Sequence, residues 1–188
     1  MGQYYDNFNT KNVNGQSLIH LINLHLGKDI VGAEVGVHRG LTFCTFLQMC
    51  PNIKTLHGVD CYLPSQSEPT EDYIMDEKEA EFVKMIAFHN IKYSGFSDKV
   101  IFHEKDSVDA ANEIEDESLD FVFLDAAVTS DELFRDLYAW YPKVKIGGLI
   151  AGHDWNVLAK DHLDKFRFLL QIASPLSTFD NVWIWKKE

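Results

Sequence analysis

Apolar positions recur along this chain with two periods that take turns, and the exchange between them sets the architecture. Ser17 to Leu26 places Ile19, Ile22 and Leu26 on one helical face, with Ser17 as the expected cap. Ile30 to Val37 is a short continuous apolar run, the mark of a strand buried on both faces. Leu41 to Cys50 returns to helical spacing through Phe43, Phe46, Leu47 and Cys50, and Pro51 ends it. The same exchange repeats downstream. Strands are expected at Lys54 to Val59, Lys99 to His103, Leu119 to Ala126 and within Gly147 to Asp154. Between them fall helices at Glu77 to Tyr93, Val108 to Ile114, Ser130 to Tyr141 and Leu158 to Ala173. Their expected inner faces carry Phe82, Met85, Ile86 and Ile91, then Leu133, Phe134, Leu137, Trp140 and Tyr141, then Leu163, Phe166 and Leu170. Leu176 to Thr178 and Val182 to Trp185 form two last short strands.

Strands alternating with helices build a parallel sheet covered on both faces, so the expected class is doubly wound α/β. At 188 residues the chain suits one domain over 1–188, with a polar arm at 1–14 that holds Asn7, Asn9, Asn12 and Asn14. Ligands of such sheets bind at the carboxyl ends of the strands, which directs attention to the residues there. Gly36 to Gly40 turns the first buried strand into a helix. Glycines let that turn approach a ligand, and the helix amino end behind it offers unpaired N–H groups. Gly32, Gly36 and Gly40 are each four apart, which is not the G-x-G-x-x-G of a dinucleotide site and argues against NAD. Asp60 closes the second strand about twenty residues beyond the turn, where nucleotide folds hold ribose hydroxyls with an acid. Asp106, Asp125 and Asp154 follow at later strand ends, and either Asp106 or Ser107 caps the helix after the third strand. Like charges gathered on one edge cost stability, and a bound cation would relieve them.

The segments carrying these acids resemble a known family. Glu34-Val35-Gly36-Val37-His38-Arg39-Gly40 is similar to the first motif of class I S-adenosylmethionine (SAM) methyltransferases, an acid followed by G-x-x-x-G. Phe121 to Ala126, Asp136 to Val144 and Gly147 to Trp155 look like the F-I-D-A, A-W-x-P-K, P-G-G and G-H-D-Y/W blocks of its small members. The resemblance implies a Rossmann-like, mostly parallel seven-stranded sheet with an antiparallel C-terminal strand. It implies further that Glu34 bonds the methionine part of SAM, that Gly36, Val37, His38 and Gly40 pass beneath it, that Asp60 holds the ribose, and that Asp106 and Ser107 meet adenine. Asp125 and Asp154 would face the acceptor. The chain departs from these relatives where D-A-x-H-x-Y becomes Asp125-Ala126-Ala127-Val128-Thr129-Ser130.

Methyl transfer from a sulfonium is an in-line displacement that asks chiefly for alignment, and a hydroxyl acceptor also needs a base. His153 has the pKa range for that task. Asp125 and Asp154, on neighbouring strands, are also the pair expected to hold Mg²⁺ if a metal takes part. Catechol-type relatives add an Asn directly after the second Asp, where this chain has Trp155 and then Asn156.

Net charge narrows the acceptor. A formal −12 repels a phosphate backbone and points away from nucleic acid, toward a small molecule received under the long Cys61 to Asp76 loop. No apolar run nears the roughly 20 residues of a membrane span, and the start lacks the regions of a signal peptide. Cys44, Cys50 and Cys61 are odd in number and fit a reducing, cytoplasmic setting. Two other readings compete with a methyltransferase. One is a nucleotide-binding oxidoreductase or sugar-modifying enzyme, disfavoured by the glycine spacing and the lack of a Tyr-x-x-x-Lys pair. The other is a degenerate, non-catalytic nucleoside-binding or interaction protein, which Val128 and Ser130 would permit.

Overall fold

The computed structural model describes residues 15–63, 76–127, 129–179 and 181–188. The polar arm, most of the Cys61 to Asp76 loop and Val128 lie outside the described residues. Seven strands form one sheet in the order β3-β2-β1-β4-β5-β7-β6: β1 Ile30–Val35, β2 Ile53–Val59, β3 Val100–His103, β4 Leu119–Leu124, β5 Val144–Gly152, β6 Ser177–Phe179 and β7 Val182–Lys186. Strands β1 to β5 pair in parallel, and β7 runs antiparallel between β5 and β6.

Helices α1 (Gln16–His25), α2 (Leu41–Met49) and α3 (Glu77–Tyr93) cover one face. Helices α4 (Ser107–Ala111), α5 (Ser130–Trp140) and α6 (Lys160–Leu169) cover the other. The strand order reverses between β1 and β4, so a crevice opens there at the carboxyl edge, the position from which such sheets bind ligands. Both faces are packed with apolar side chains. On the first, beside buried Phe43, the Phe46 ring meets Phe121 and Phe123 edge to face at 5.7 Å, and Trp140, Phe166, Trp183 and Trp185 fill the second.

Several local details differ from the sequence reading. Gly15, not Ser17, stands at the amino end of α1, in the left-handed conformation and against the Phe46 ring, where an added Cβ would come within 3.1 Å. Helix α3 buries Ala80, Val83, Ala87 and Ile91, whereas Phe82 and Met85 face outward. Small residues win the inner stripe because Ala87 packs beside the Gly40 backbone, at 3.6 Å from where a Cβ would stand. The last helix begins with a π-helical turn at Trp155–Ala159 and α6 ends at Leu169, which leaves Leu170 exposed instead of inward. Strand β5 starts at Val144, three residues earlier than expected, with a register irregularity opposite Leu119 and Phe121 that absorbs Gly147 at φ +83°.

Candidate active site

The crevice is built from backbone contact first. Gly36 lies so close to the end of β4 that a Cβ would meet the Asp125 carbonyl oxygen at 2.4 Å, and its φ of +93° suits glycine alone. The two strand ends are tied by Asp125 N–H to Val35 O at 2.8 Å and Gly36 N–H to Val59 O at 2.8 Å. Val37, which is buried, and His38, at φ +50°, carry the chain over to Gly40 at the head of α2.

Asp60 braces this turn. Its Oδ2 accepts the His38 N–H at 2.8 Å and its Oδ1 accepts the Tyr62 N–H at 2.9 Å, while the Tyr62 hydroxyl donates to the His38 carbonyl at 3.1 Å. Burial nevertheless pushes the Asp60 carboxyl above its ordinary range. Tyr62 gave no signal in the sequence; it was one aromatic in a loop, and only the fold lays its ring parallel to Phe102 and over the crevice acids, whose charge adds to burial in raising its phenol.

Glu34 is the most confined of the acids, at 1% exposure. Among the described residues its Oε2 meets no hydrogen-bond donor. Burial, then the charges of Asp125 and Asp60, raise its pKa well above the carboxylate range. An interior carboxyl without a partner is costly, and it is the kind of group that a cationic or donor-rich ligand completes.

Asp106 and Ser107 sit at the start of α4, and their side chains are already engaged. Asp106 Oδ1 caps the helix through the Val108 N–H at 2.9 Å, and its Oδ2 pairs with Arg135 at 3.0 Å. The Ser107 hydroxyl turns inward, accepts the Trp140 indole N–H at 2.9 Å and bonds Asp136. Any contact of Ser107 with an adenine would therefore come from its main chain.

On the far side of the crevice, His153 lies between two acids. Its Nδ1 is 3.0 Å from Asp154 Oδ1 and 3.5 Å from Asp125 Oδ1. Burial works against the imidazolium, but the Asp154 hydrogen bond and the charges of Asp125 and Asp154 outweigh it, so the His153 pKa rises above its ordinary 6.5. The same bond lowers Asp154. Asp154 is in the left-handed conformation, φ +58°, at the head of the π-helical turn, so its carboxylate leaves the line of β5 and reaches the histidine. Asn156, the sequence's candidate third metal ligand, gives only its N–H, to Asn181 Oδ1 at 3.0 Å. Asn181, just before β7, donates through Nδ2 to Asp154 Oδ1 at 3.1 Å.

Asp125, His153 and Asp154 are thus the described group whose ligand atoms converge within 4.8 Å. As arranged, the carboxylates are served by the His153 N–H, and a ring nitrogen that carries a proton does not ligate. Mg²⁺ takes one or two carboxylates together with waters or substrate oxygens, so an ion here would use Asp125 and Asp154 in place of their contacts to His153.

Residues 33–155 match the profile of a family described as a methyltransferase domain. Among solved structures, the chain is similar to the O-methyltransferase NovP, with 21% identity, TM-score 0.65, and 91% of this chain and 76% of that one covered. It is also similar to a proposed caffeoyl-CoA O-methyltransferase from Staphylococcus aureus, at 15% identity, TM-score 0.62 and coverage of 92% and 81%. A precorrin 8w decarboxylase from Methanobacterium thermoautotrophicum shares the fold at 16% identity, TM-score 0.59 and coverage of 92% and 90%. At such identities the likeness is one of fold. None of the curated proteins compared matches the chain.

Proposed function

Since this chain belongs to the methyltransferase-domain family, we propose that it moves the methyl group of SAM onto a hydroxyl of a small-molecule acceptor. The observation that carries the reading is the division of the crevice. One side offers a buried carboxyl whose Oε2 meets no donor among the described residues, beside a positive-φ glycine turn pressed against the Asp125 backbone; the other offers a histidine held between two carboxylates.

SAM supplies an electrophilic methyl on a sulfonium. Glu34 answers the cationic methionine end, the Gly36 to Gly40 turn passes beneath it, and Asp60, which accepts the His38 and Tyr62 N–H groups, faces the ribose. Nδ1 of His153 keeps its proton toward Asp154 and Asp125, because both carboxylates only accept. Nε2, which the Asn181 amide approaches at 3.5 Å, carries the lone pair; it takes the acceptor's hydroxyl proton as the oxygen–methyl bond forms and the methyl–sulfur bond breaks, the sulfur leaving as a neutral thioether, and the positive ring is stabilised by the two acids. No metal enters this scheme.

The acidic surface and three free cysteines support a small, non-nucleic acceptor and a cytoplasmic setting. No described helix is long and apolar enough to cross a membrane. Calorimetry with SAM and with NAD tests the cofactor: micromolar-order heat with SAM and none with NAD is expected, and the reverse would overturn the reading. A panel of catechol, a hexose and a nucleoside, assayed for methyl transfer with and without EDTA, tests the acceptor and the base. Undiminished transfer in EDTA is expected; loss restored by Mg²⁺ would replace the histidine scheme with a metal site on Asp125 and Asp154.

A further inference from the structure

We propose that Asn181, in the turn between β6 and β7, is a positioning residue that fixes the Asp154 carboxylate and the His153 ring for proton removal. The inference rests on the methyltransferase reading and gives the C-terminal hairpin a part in it.

The orientation of the Asn181 amide follows from its neighbours. Asn156 N–H can only donate, so the group it meets at 3.0 Å must be the amide oxygen, Oδ1. The NH₂ end is thereby turned to the other side, where Asp154 Oδ1 accepts it at 3.1 Å and His153 Nε2 lies 3.5 Å away. Asn181 also uses its main chain, since its carbonyl accepts the Trp155 N–H at 3.2 Å. Two residues on, the Trp183 indole N–H donates to the His153 carbonyl at 2.8 Å.

The segment His153 to Asn156 is thus held by β7 and the turn before it at four points, one of them on the carboxylate that orients His153. That support is needed. Asp154 is left-handed and opens a π-helical turn, so neither a regular strand nor a regular helix fixes its side chain. A carboxylate free to rotate would offer His153 Nδ1 a shifting partner, and the ring would lose its preferred tautomer and direction. The Asn181 amide bonds Asp154 at the shorter distance, which is how it aims the ring, and it only approaches Nε2 at the longer one, a contact that an acceptor hydroxyl displaces when it binds.

The isosteric change Asn181→Asp separates positioning from turn formation. It retains an oxygen for the Asn156 N–H but replaces the donor that faces Asp154 with a like-charged acceptor. Asn181→Ala removes both. Each variant and the wild type would be measured for thermal unfolding, SAM binding by calorimetry, kcat and KM with whichever of catechol, a hexose or a nucleoside turns over fastest, and the His153 ring ¹⁵N shifts at alkaline pH. Both variants should lower kcat by about 10- to 100-fold, part of the roughly 10²- to 10⁴-fold that positioned proton transfer contributes, with SAM affinity within about twofold. The wild-type ring should show the Nδ1–H tautomer, and both variants a mixed population. Wild-type kcat and tautomer in Asn181→Asp would reduce Asn181 to a turn former and overturn the proposal, whatever Asn181→Ala does. If the wild type neither binds SAM nor transfers a methyl group, the functional reading fails; the tautomer comparison still decides the positioning role, because it needs no turnover.

Discussion

The two edges of the sheet treat their acids differently. At the amino edge Asp120 Oδ2 takes the Val31 N–H at 2.8 Å while its Oδ1 meets Lys145 at 2.7 Å, and Asp116 meets Lys143 at 2.7 Å. At the carboxyl edge Asp106 and Glu104, after β3, pair with Arg135 and Lys84, but nearer the centre, among the described residues, no lysine or arginine forms an ion pair with Glu34 or Asp60, and Asp125 and Asp154 share a histidine. The amino edge is electrostatically finished. The carboxyl edge stores an unfavourable arrangement of buried negative charge, which a fold tolerates where a ligand or a proton is expected.

The largest break in this comparison comes from removing the proposed proton acceptor. His153→Gln should cut methyl transfer by about 10²- to 10⁴-fold with little change in SAM affinity, read by single-turnover kinetics beside calorimetry. In the wild type, kcat should rise with pH through a midpoint above 6.5, because the raised pKa keeps His153 protonated and unable to accept until then. The same shift stabilises the fold below pH 6.5, and that contribution is lost as pH climbs through the raised value. A midpoint below 6.5 would show that another group governs the rate.

Asp136 sharpens the comparison from inside the molecule. It is buried behind Ser107, where burial first of all lifts its pKa from the ordinary 3.8 to about 6. An acid raised on folding adds stability that is complete below pH 3.8 and lost as pH rises through about 6, a difference of roughly 3 kcal/mol. Asp136→Asn should therefore raise the melting temperature at neutral pH, most of the gain disappearing near pH 4; the amide still bonds the Ser107 hydroxyl, so SAM affinity should stay within about twofold.

Glu34→Gln should behave differently although the side chain is equally buried. Relief of the buried charge should stabilise the ligand-free protein at neutral pH, yet SAM affinity should fall by about 10- to 100-fold, as for loss of a charged hydrogen bond of roughly 1.5–3 kcal/mol. Higher stability with unchanged affinity would class Glu34 with Asp136, as a structural acid. The smallest effect belongs to the finished edge: Lys145→Ala should cost about 0.2–1 kcal/mol in denaturant unfolding, since the lysine side chain is 43% exposed, and nothing in activity.

The sequence by itself determined the alternation of elements, the strand-end acids and the glycine turn, because each is written in neighbours a few residues apart. Continuous apolar runs could only be buried strands, and Phe43, Phe46, Leu47 and Cys50 could only face a sheet; all four are fully buried. Gly36 was legible because only glycine lets two backbones meet so closely. What the tertiary structure alone decided are pairings across long stretches of chain. Whether Ser107 points to the crevice or to Trp140, 33 residues away, depends on how α4 rolls against α5. Whether α3 buries Phe82 or Ala87 depends on how near it must approach the Gly40 backbone, and period alone does not fix which of two apolar stripes wins. Asn181 meets Asp154, 27 residues earlier, only because β7 inserts antiparallel beside β5 and Asp154 turns left-handed. A hydrogen bond between two polar turns leaves no apolar pattern behind it, so the contact most relevant to the chemistry was the one that local sequence could not announce.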